Sequence, residues 1–262
     1  MSDSIASDYY NALAKDYHLL YRDWDSSMER EGMMLRRWFR DREIVTVLDA
    51  SCGTGRQAVA LAQIGYRVLA ADPSMGMLQQ AQAHAEALGL ADRIHFLQAG
   101  FLDLARMVDT AGALDAILTK GDAFPHLISD ADIEQTLHGF FRLLRPGGTL
   151  LIGMRDFERL IQERPRLLPG QVHEPDDYHG ERIITYEVWD WSDESPLTVT
   201  INHFITRGEG QHYHTACYPI RQRALTPDEV EVVLVEAGFE DVRRTYDRSE
   251  LVMLCRKPET ST

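Results

Sequence analysis

The run Val45-Thr46-Val47-Leu48-Asp49-Ala50-Ser51-Cys52-Gly53-Thr54-Gly55 does most to limit the fold of this chain. An apolar stretch that breaks into a glycine turn and then into a helical pattern predicts a parallel strand delivering a ligand to a helix N-terminus. The two glycines permit a sharp turn and close approach of a ligand to the backbone. A second apolar run, Tyr66-Arg67-Val68-Leu69-Ala70-Ala71, ends in Asp72, where a carboxylate can accept hydrogen bonds from ribose hydroxyls. A ribose-bearing cofactor near residue 50 is therefore expected. Gly53-Thr54-Gly55-Arg56-Gln57-Ala58 also fits the loose dinucleotide form G-x-G-x-x-A. Asp49 argues against a pyrophosphate there, because like charges across a few ångströms cost on the order of 1 to 4 kcal/mol. A cationic ligand would instead be favoured.

From Ile44 to Met154 strand and helix patterns alternate, which predicts a doubly wound parallel sheet. Strands are expected at Ile44 to Ala50, Tyr66 to Ala71, Ile94 to Gln98, Leu114 to Lys120 and Thr149 to Met154, with helices at Arg56 to Ile64, Met75 to Leu88 and Ile133 to Leu144. Arg145-Pro146-Gly147-Gly148 reads as the turn into the fifth strand. Residues 1–40 carry two helical patterns and are expected to be a lid or an interface; residues 41–262 form the main domain. Within it, 158–223 turns to prolines, histidines and period-two runs, an antiparallel insertion over the substrate. Thr226-Pro227-Asp228-Glu229 starts a last helix, and strands at Val242 to Tyr246 and Leu251 to Arg256 complete the sheet.

A length of 262 residues suits one large α/β domain with an insertion, or two small domains. The formal net charge of -14 opposes binding to phosphate backbones or anionic membranes, so nucleic acid and membrane partners are not expected. There is no run of eighteen apolar residues and no signal-peptide pattern at Met1-Ser2-Asp3-Ser4, and cytoplasmic location is the expectation. Cys52, Cys217 and Cys255 are too scattered for a disulfide framework or a zinc site. Gln211-His212-Tyr213-His214 offers two alternate histidines and no identifiable third ligand, so no metal is expected.

The spacing D-x-x-x-G-x-G from Asp49 to Gly55 resembles the first motif of class I S-adenosylmethionine-dependent methyltransferases. That resemblance implies a seven-stranded Rossmann-like sheet with S-adenosylmethionine as cofactor, and Asp72 on its ribose. Four stretches resemble the glycine and glycine/sarcosine N-methyltransferase branch: Tyr21-Arg22-Asp23-Trp24-Asp25-Ser26, Val47 to Gly55, Lys120 to Leu127, and Met154-Arg155-Asp156-Phe157. Tyr218-Pro219 adds weaker support. The implied cofactor set is Asp49, Ser51, Gly53 and Gly55 in the loop, Asp72, Pro73 and Met77 after the second strand, Gly100 and Phe101 after the third, with Lys120, Tyr21 and Arg30. Arg30 is the candidate for the methionyl carboxylate, with a solvated helix face as the equal alternative.

By the same resemblance Arg155 holds the carboxylate of an amino-acid acceptor, a role that a guanidinium fork suits. The alternative is a surface pair of Arg155 with Asp156 or Glu158. Tyr21, Tyr178 and Tyr218 fall near acceptor-site tyrosines. The chain departs from the branch at Gly121-Asp122-Ala123, where the pattern is Gly-Asn-Ser. An ionised aspartate only accepts, so Asp122 favours a more cationic amine, acts as a base, or pairs with Lys120. The expected activity is N-methylation of a small molecule, an amino acid by resemblance. The alternatives are an acceptor-independent cyclase making a cyclic amino acid such as azetidine-2-carboxylate, a NAD-dependent oxidoreductase, and a non-catalytic cofactor-binding module. Oligomeric state stays open, a homo-oligomer included.

Overall fold

A computed structural model describes residues 2–39, 44–109, 111–177 and 180–259; Tyr178, one of the expected acceptor-site residues, lies outside them. In chain order the elements are α1 (Ser2–Leu13), α2 (Trp24–Phe39), β1 (Thr46–Asp49), α3 (Arg56–Gln63), β2 (Arg67–Asp72), α4 (Met75–Ala87), β3 (Ile94–Gln98), α5 (Phe101–Met107), β4 (Leu114–Thr119), α6 (Asp130–Leu143), β5 (Leu144–Arg155) and α7 (Phe157–Glu163). They continue with β6 (Leu167–His173), β7 (Arg182–Trp191), β8 (Thr198–Glu209), β9 (His212–Arg223), α8 (Pro227–Glu236), β10 (Glu240–Asp247) and β11 (Glu250–Arg256).

The central sheet has seven strands in the order β10-β11-β5-β4-β1-β2-β3, parallel from β5 to β3, with β11 antiparallel to β5 and β10 antiparallel to β11. This is the Rossmann-like arrangement expected from the alternation of patterns. The chain runs outward from β1 through β2 to β3 and then returns to β4 on the other side of β1. That reversal makes a crevice at the C-terminal ends of β1 and β4, where open α/β sheets bind ligands.

Both faces of the sheet are covered, and alternate side chains go to opposite layers. Leu48 and Ile117 join Phe140, Leu150 and Leu234 on one side; Val47 and Leu118 join Leu35, Leu61 and Leu78 on the other. A separate antiparallel sheet, β6-β7-β8-β9, packs its inner face with α1 and α7 around the fully buried Trp189. No helix among the described residues is long and apolar enough to cross a membrane.

Several local features differ from the sequence expectation. Helices α5 and α7 occupy stretches where no helix is expected; each is only seven residues long, too short to display a helical period. Strand β5 starts at Leu144, so the Pro-Gly-Gly turn lies inside it. Gly147 adopts φ 71° there and donates its N–H to the Lys257 carbonyl at 3.0 Å, which keeps the irregular segment attached beside β11.

Candidate active site

The β1–α3 loop is held both by its own turn, where Gly55 N–H donates to Cys52 O at 2.8 Å, and by its neighbours. Ala50 N–H donates to Leu118 O at 2.8 Å and Cys52 N–H to Ala71 O at 2.9 Å, tying the loop to β4 and β2. Gly53 (φ 53°) and Gly55 (φ 91°) take left-handed conformations. A Cβ at Gly55 would stand 3.0 Å from the Ala81 Cβ, so this glycine serves helix packing. A Cβ at Gly53 would meet nothing within 4 Å, leaving open space above its backbone.

That space is an open pocket, about 730 Å³ with the adjoining solvent space included, walled by the loop, Asp72, Pro73, Gly100, Phe101, Lys120 and Gly121, and roofed by Ala6, Tyr10, Tyr17, Tyr21 and Trp24. Asp72 accepts from Gly53 N–H (2.9 Å) and Ser74 N–H (2.9 Å). Burial raises its carboxyl to about 6 against those two donors. Asp49, 1 % exposed, is raised to about 7, first by burial and then by Asp72 and Glu31, although Ser51 N–H donates to its Oδ1. Its Oδ2 has no hydrogen-bond partner among the described residues.

Arg56 opens α3 directly after the loop. Its Nη1 donates to Ser27 Oγ at 3.0 Å and lies 3.5 Å from Glu31 Oε1, and its guanidinium stands 4.8 Å from the centre of the Tyr21 ring. Lys120, fully buried, pairs with Glu31 (3.0 Å) and Glu250 (2.8 Å), which braces α2 against β11 beneath the cavity.

A second chamber, about 850 Å³ with the adjoining solvent space included, lies next to the first and shares Tyr10, Tyr17, Tyr21 and Gly121 with it. Its far wall is the inner face of the antiparallel sheet, which contributes Glu187, His203 and Gln222, together with Asp122 and Arg155 from the central sheet's edge. Arg155 donates Nε to Asp122 Oδ2 at 2.7 Å, and Nη1 and Nη2 to the two oxygens of Glu187 at 2.9 Å each. Burial pushes the Glu187 carboxyl up, but Arg155 outweighs it and brings it down to about 2. Burial lowers His203 to about 4 despite Glu187 beside it, and likewise lowers His126 to about 4. His126 Nε2 pairs with Tyr10 OH at 2.9 Å at the border of the first chamber.

Comparison with known proteins gives this geometry a family. Residues 47–148 match a methyltransferase-domain profile. The glycine/sarcosine N-methyltransferase of Parasynechococcus marenigrum is 31% identical over 220 residues, covering 84% of this chain and 72% of that protein. The chain belongs to the class I S-adenosylmethionine-dependent methyltransferases. The glycine/sarcosine/dimethylglycine N-methyltransferase of Actinopolyspora halophila is 35% identical over 140 residues, which is 53% of this chain and 24% of that much longer protein. The CcbJ methyltransferase of Streptomyces caelestis shares the fold, with a TM-score of 0.75 at 18% identity over 95% of this chain and 98% of that one.

The cofactor of these methyltransferases is S-adenosylmethionine, and the first chamber fits it. Open space over Gly53 admits close approach to the backbone. The Asp72 carboxylate is held by two N–H donors at the end of β2, with lone pairs to spare. The unpaired Oδ2 of Asp49, buried just outside the lining, sets a negative field under the chamber that favours a cationic ligand.

Of the residues expected from the sequence, Ser51, Gly53, Asp72, Pro73, Gly100, Phe101, Lys120 and Tyr21 line the first chamber, and Asp122, Arg155 and again Tyr21 the second. Asp49 at the end of β1 and Gly55 at the end of the loop are both outside the lining. Met77, in the first turn of α4, is fully buried and lines neither chamber. Arg30 is on the exposed face of α2, while Arg56 reaches the cavity that Arg30 does not. Tyr218 lines neither chamber and donates its OH to Asp16 Oδ2 at 3.3 Å. The partners of Arg155 are neither Asp156 nor Glu158, and Asp122 pairs with Arg155 rather than with Lys120. His212 and His214 are exposed on β9, and no group of three or more His, Cys, Asp or Glu able to hold a metal ion is found among the described residues.

Sequence reasoning missed Arg56, Tyr10, Tyr17, Trp24, Glu187 and Gln222. Arg56 carried a readable signal, since a cation in the first turn of a helix opposes the macrodipole and calls for an anion nearby. The others depend on which face of their helix or strand turns inward.

Proposed function

We propose that this protein transfers the methyl group of S-adenosylmethionine to the amine nitrogen of a small molecule. The observation that carries the reading is the junction of the two chambers at Gly121, Tyr10, Tyr17 and Tyr21. A chamber fitted to the cofactor opens there onto one with aromatic and carboxylate walls, a lining that suits an amine. The net charge of -14 also favours a small acceptor over a polyanion.

Gly53, Asp72, Phe101 and Asp49 would hold the cofactor, with Arg56 in place of Arg30 on the methionyl carboxylate. Bound there, it supplies an electrophilic methyl group on a positively charged sulfur. This chain's residues supply position and field: the tyrosines exclude water at the junction, and Asp49 and Asp122 offset positive charge on either side of it. The amine must arrive neutral. His126 and His203, both near 4, are poor bases for an ammonium near 10, a gap of roughly 8 kcal/mol at 1.36 per unit. The proton therefore leaves to solvent before the amine is enclosed, and the chamber selects the free base. Residues 1–40 act in this proposal as the lid, since Ala6, Tyr10, Tyr17, Tyr21 and Trp24 roof the cofactor chamber.

Mass spectrometry of the protein with S-adenosylmethionine and a pool of small amines and amino acids tests the reading. S-adenosylhomocysteine formed together with a methylated amine is the expected result. Methylthioadenosine formed without any acceptor would replace the reading with intramolecular cyclisation.

A further inference from the structure

Arg155, which resemblance assigns to an acceptor carboxylate, is already engaged on three sides. Its Nε donates to Asp122 Oδ2 at 2.7 Å, its Nη1 and Nη2 to Glu187 at 2.9 Å each, and its guanidinium carbon lies 5.0 Å from the centre of the Trp189 ring. Glu187 is fixed in turn by Trp189 Nε1, which donates to its Oε2 at 2.7 Å. The two-pronged face that a substrate carboxylate would take is thus filled by the protein's own carboxylate. A third carboxylate in this chamber would join Asp122 and Glu187 around a single guanidinium.

The sheet that carries Glu187 also presents a group that asks for a donor. Gln222 on β9 is 4 % exposed, lines the chamber and donates its Nε2 to the Asp122 carbonyl at 3.1 Å. Its Oε1 is buried with no partner among the described residues. An unpaired buried acceptor in the chamber that also holds two carboxylates matches a ligand that brings N–H or O–H groups.

Building on the proposed amine methylation, we propose that the acceptor is an amine without a carboxylate, bearing a further N–H or O–H group that donates to Gln222 Oε1. Arg155 is then a positioning residue that holds Asp122 and Glu187 in the chamber wall. Glu187 and Gln222 set the specificity.

Matched amines distinguish this from an amino-acid acceptor: ethanolamine against serine, and 1-amino-2-propanol against threonine, each with the full chain and S-adenosylmethionine. The expected result is a kcat/KM at least about tenfold higher for the amino alcohol of each pair. Equal or faster methylation of the amino acids would overturn the inference and leave amine methylation standing. Turnover of neither set, with cofactor binding still measurable by calorimetry, would overturn both. Glu187→Gln weakens the grip on the Arg155 fork and should move the ratio about tenfold toward the amino acids; an unmoved ratio in a folded variant counts against it. Gln222→Met should raise KM for the amino alcohols about tenfold with cofactor affinity unchanged, and an unchanged KM would remove Gln222 from the proposal.

Discussion

Burial lifts the Asp49 carboxyl to about 7, and its Oδ2 has no hydrogen-bond partner among the described residues. Its folded value lies above the unfolded 3.8, so the native state holds a proton that the unfolded chain has lost. The stability this provides is present at low pH and disappears as pH rises through 7. Asp49→Asn should therefore raise the melting temperature of the cofactor-free protein at pH 8, by the equivalent of about 1 to 4 kcal/mol, with the gain shrinking toward pH 5. The same variant should bind S-adenosylmethionine at least about tenfold more weakly at pH 8. In the wild type, affinity should fall below pH 7 by up to about tenfold per unit, because binding must expel the Asp49 proton, and the variant should lose that part of the slope; calorimetry across pH checks both. A second pair of variants separates the two arginines. Arg56→Gln should raise the cofactor dissociation constant by about tenfold or more, while Arg30→Ala on the exposed face of α2 leaves it within about twofold. The sequence reading names Arg30 alone; α2 turns that residue to solvent, while Arg56 at the start of α3 reaches the cavity.

At the scale of elements, α1 is attached to the cofactor chamber by one side chain in particular. Asn11 Oδ1 accepts from Ser74 Oγ and from Gly76 N–H, each at 2.8 Å, pinning the helix to the start of α4. Asn11→Ala should loosen this roof and raise the cofactor's dissociation rate several-fold in stopped-flow measurements, with little change in the chemical step. Helix α8 lies away from both chambers. Its capping box joins Thr226 and Glu229: Glu229 N–H donates to Thr226 Oγ1, and Thr226 N–H to Glu229 Oε2. Thr226→Ala should cost about 1 kcal/mol in urea unfolding and leave kcat/KM unchanged. That cap was legible in Thr226-Pro227-Asp228-Glu229 because its chemistry is confined to four consecutive residues. The helices α5 and α7 were not, since two turns give no repeat to read.

For the molecule as a whole, acid response is a balance between buried groups of opposite sign. His126 and His203, near 4 in the folded protein, take up protons first in the unfolded chain, so their effect is a loss of stability as pH falls from 6.5 toward 4. Asp49 and Asp72, raised to about 7 and about 6, act in the opposite direction over much of the same range. Saturating cofactor, by keeping both aspartates ionised, removes this compensation. The melting temperature of the loaded protein should then fall more steeply between pH 6.5 and 5 than that of the free protein, as scanning calorimetry at matched buffers would measure. The alternation of strand and helix patterns, the glycine loop and the two aspartates at strand ends were determined by the sequence itself, because backbone sterics and side-chain periodicity act within a few residues. The identity of the partner that fills Arg155 was decided by tertiary structure alone. Glu187 is 32 residues away on another sheet, and the period-two pattern of β7 does not say which of its faces turns toward the central strands.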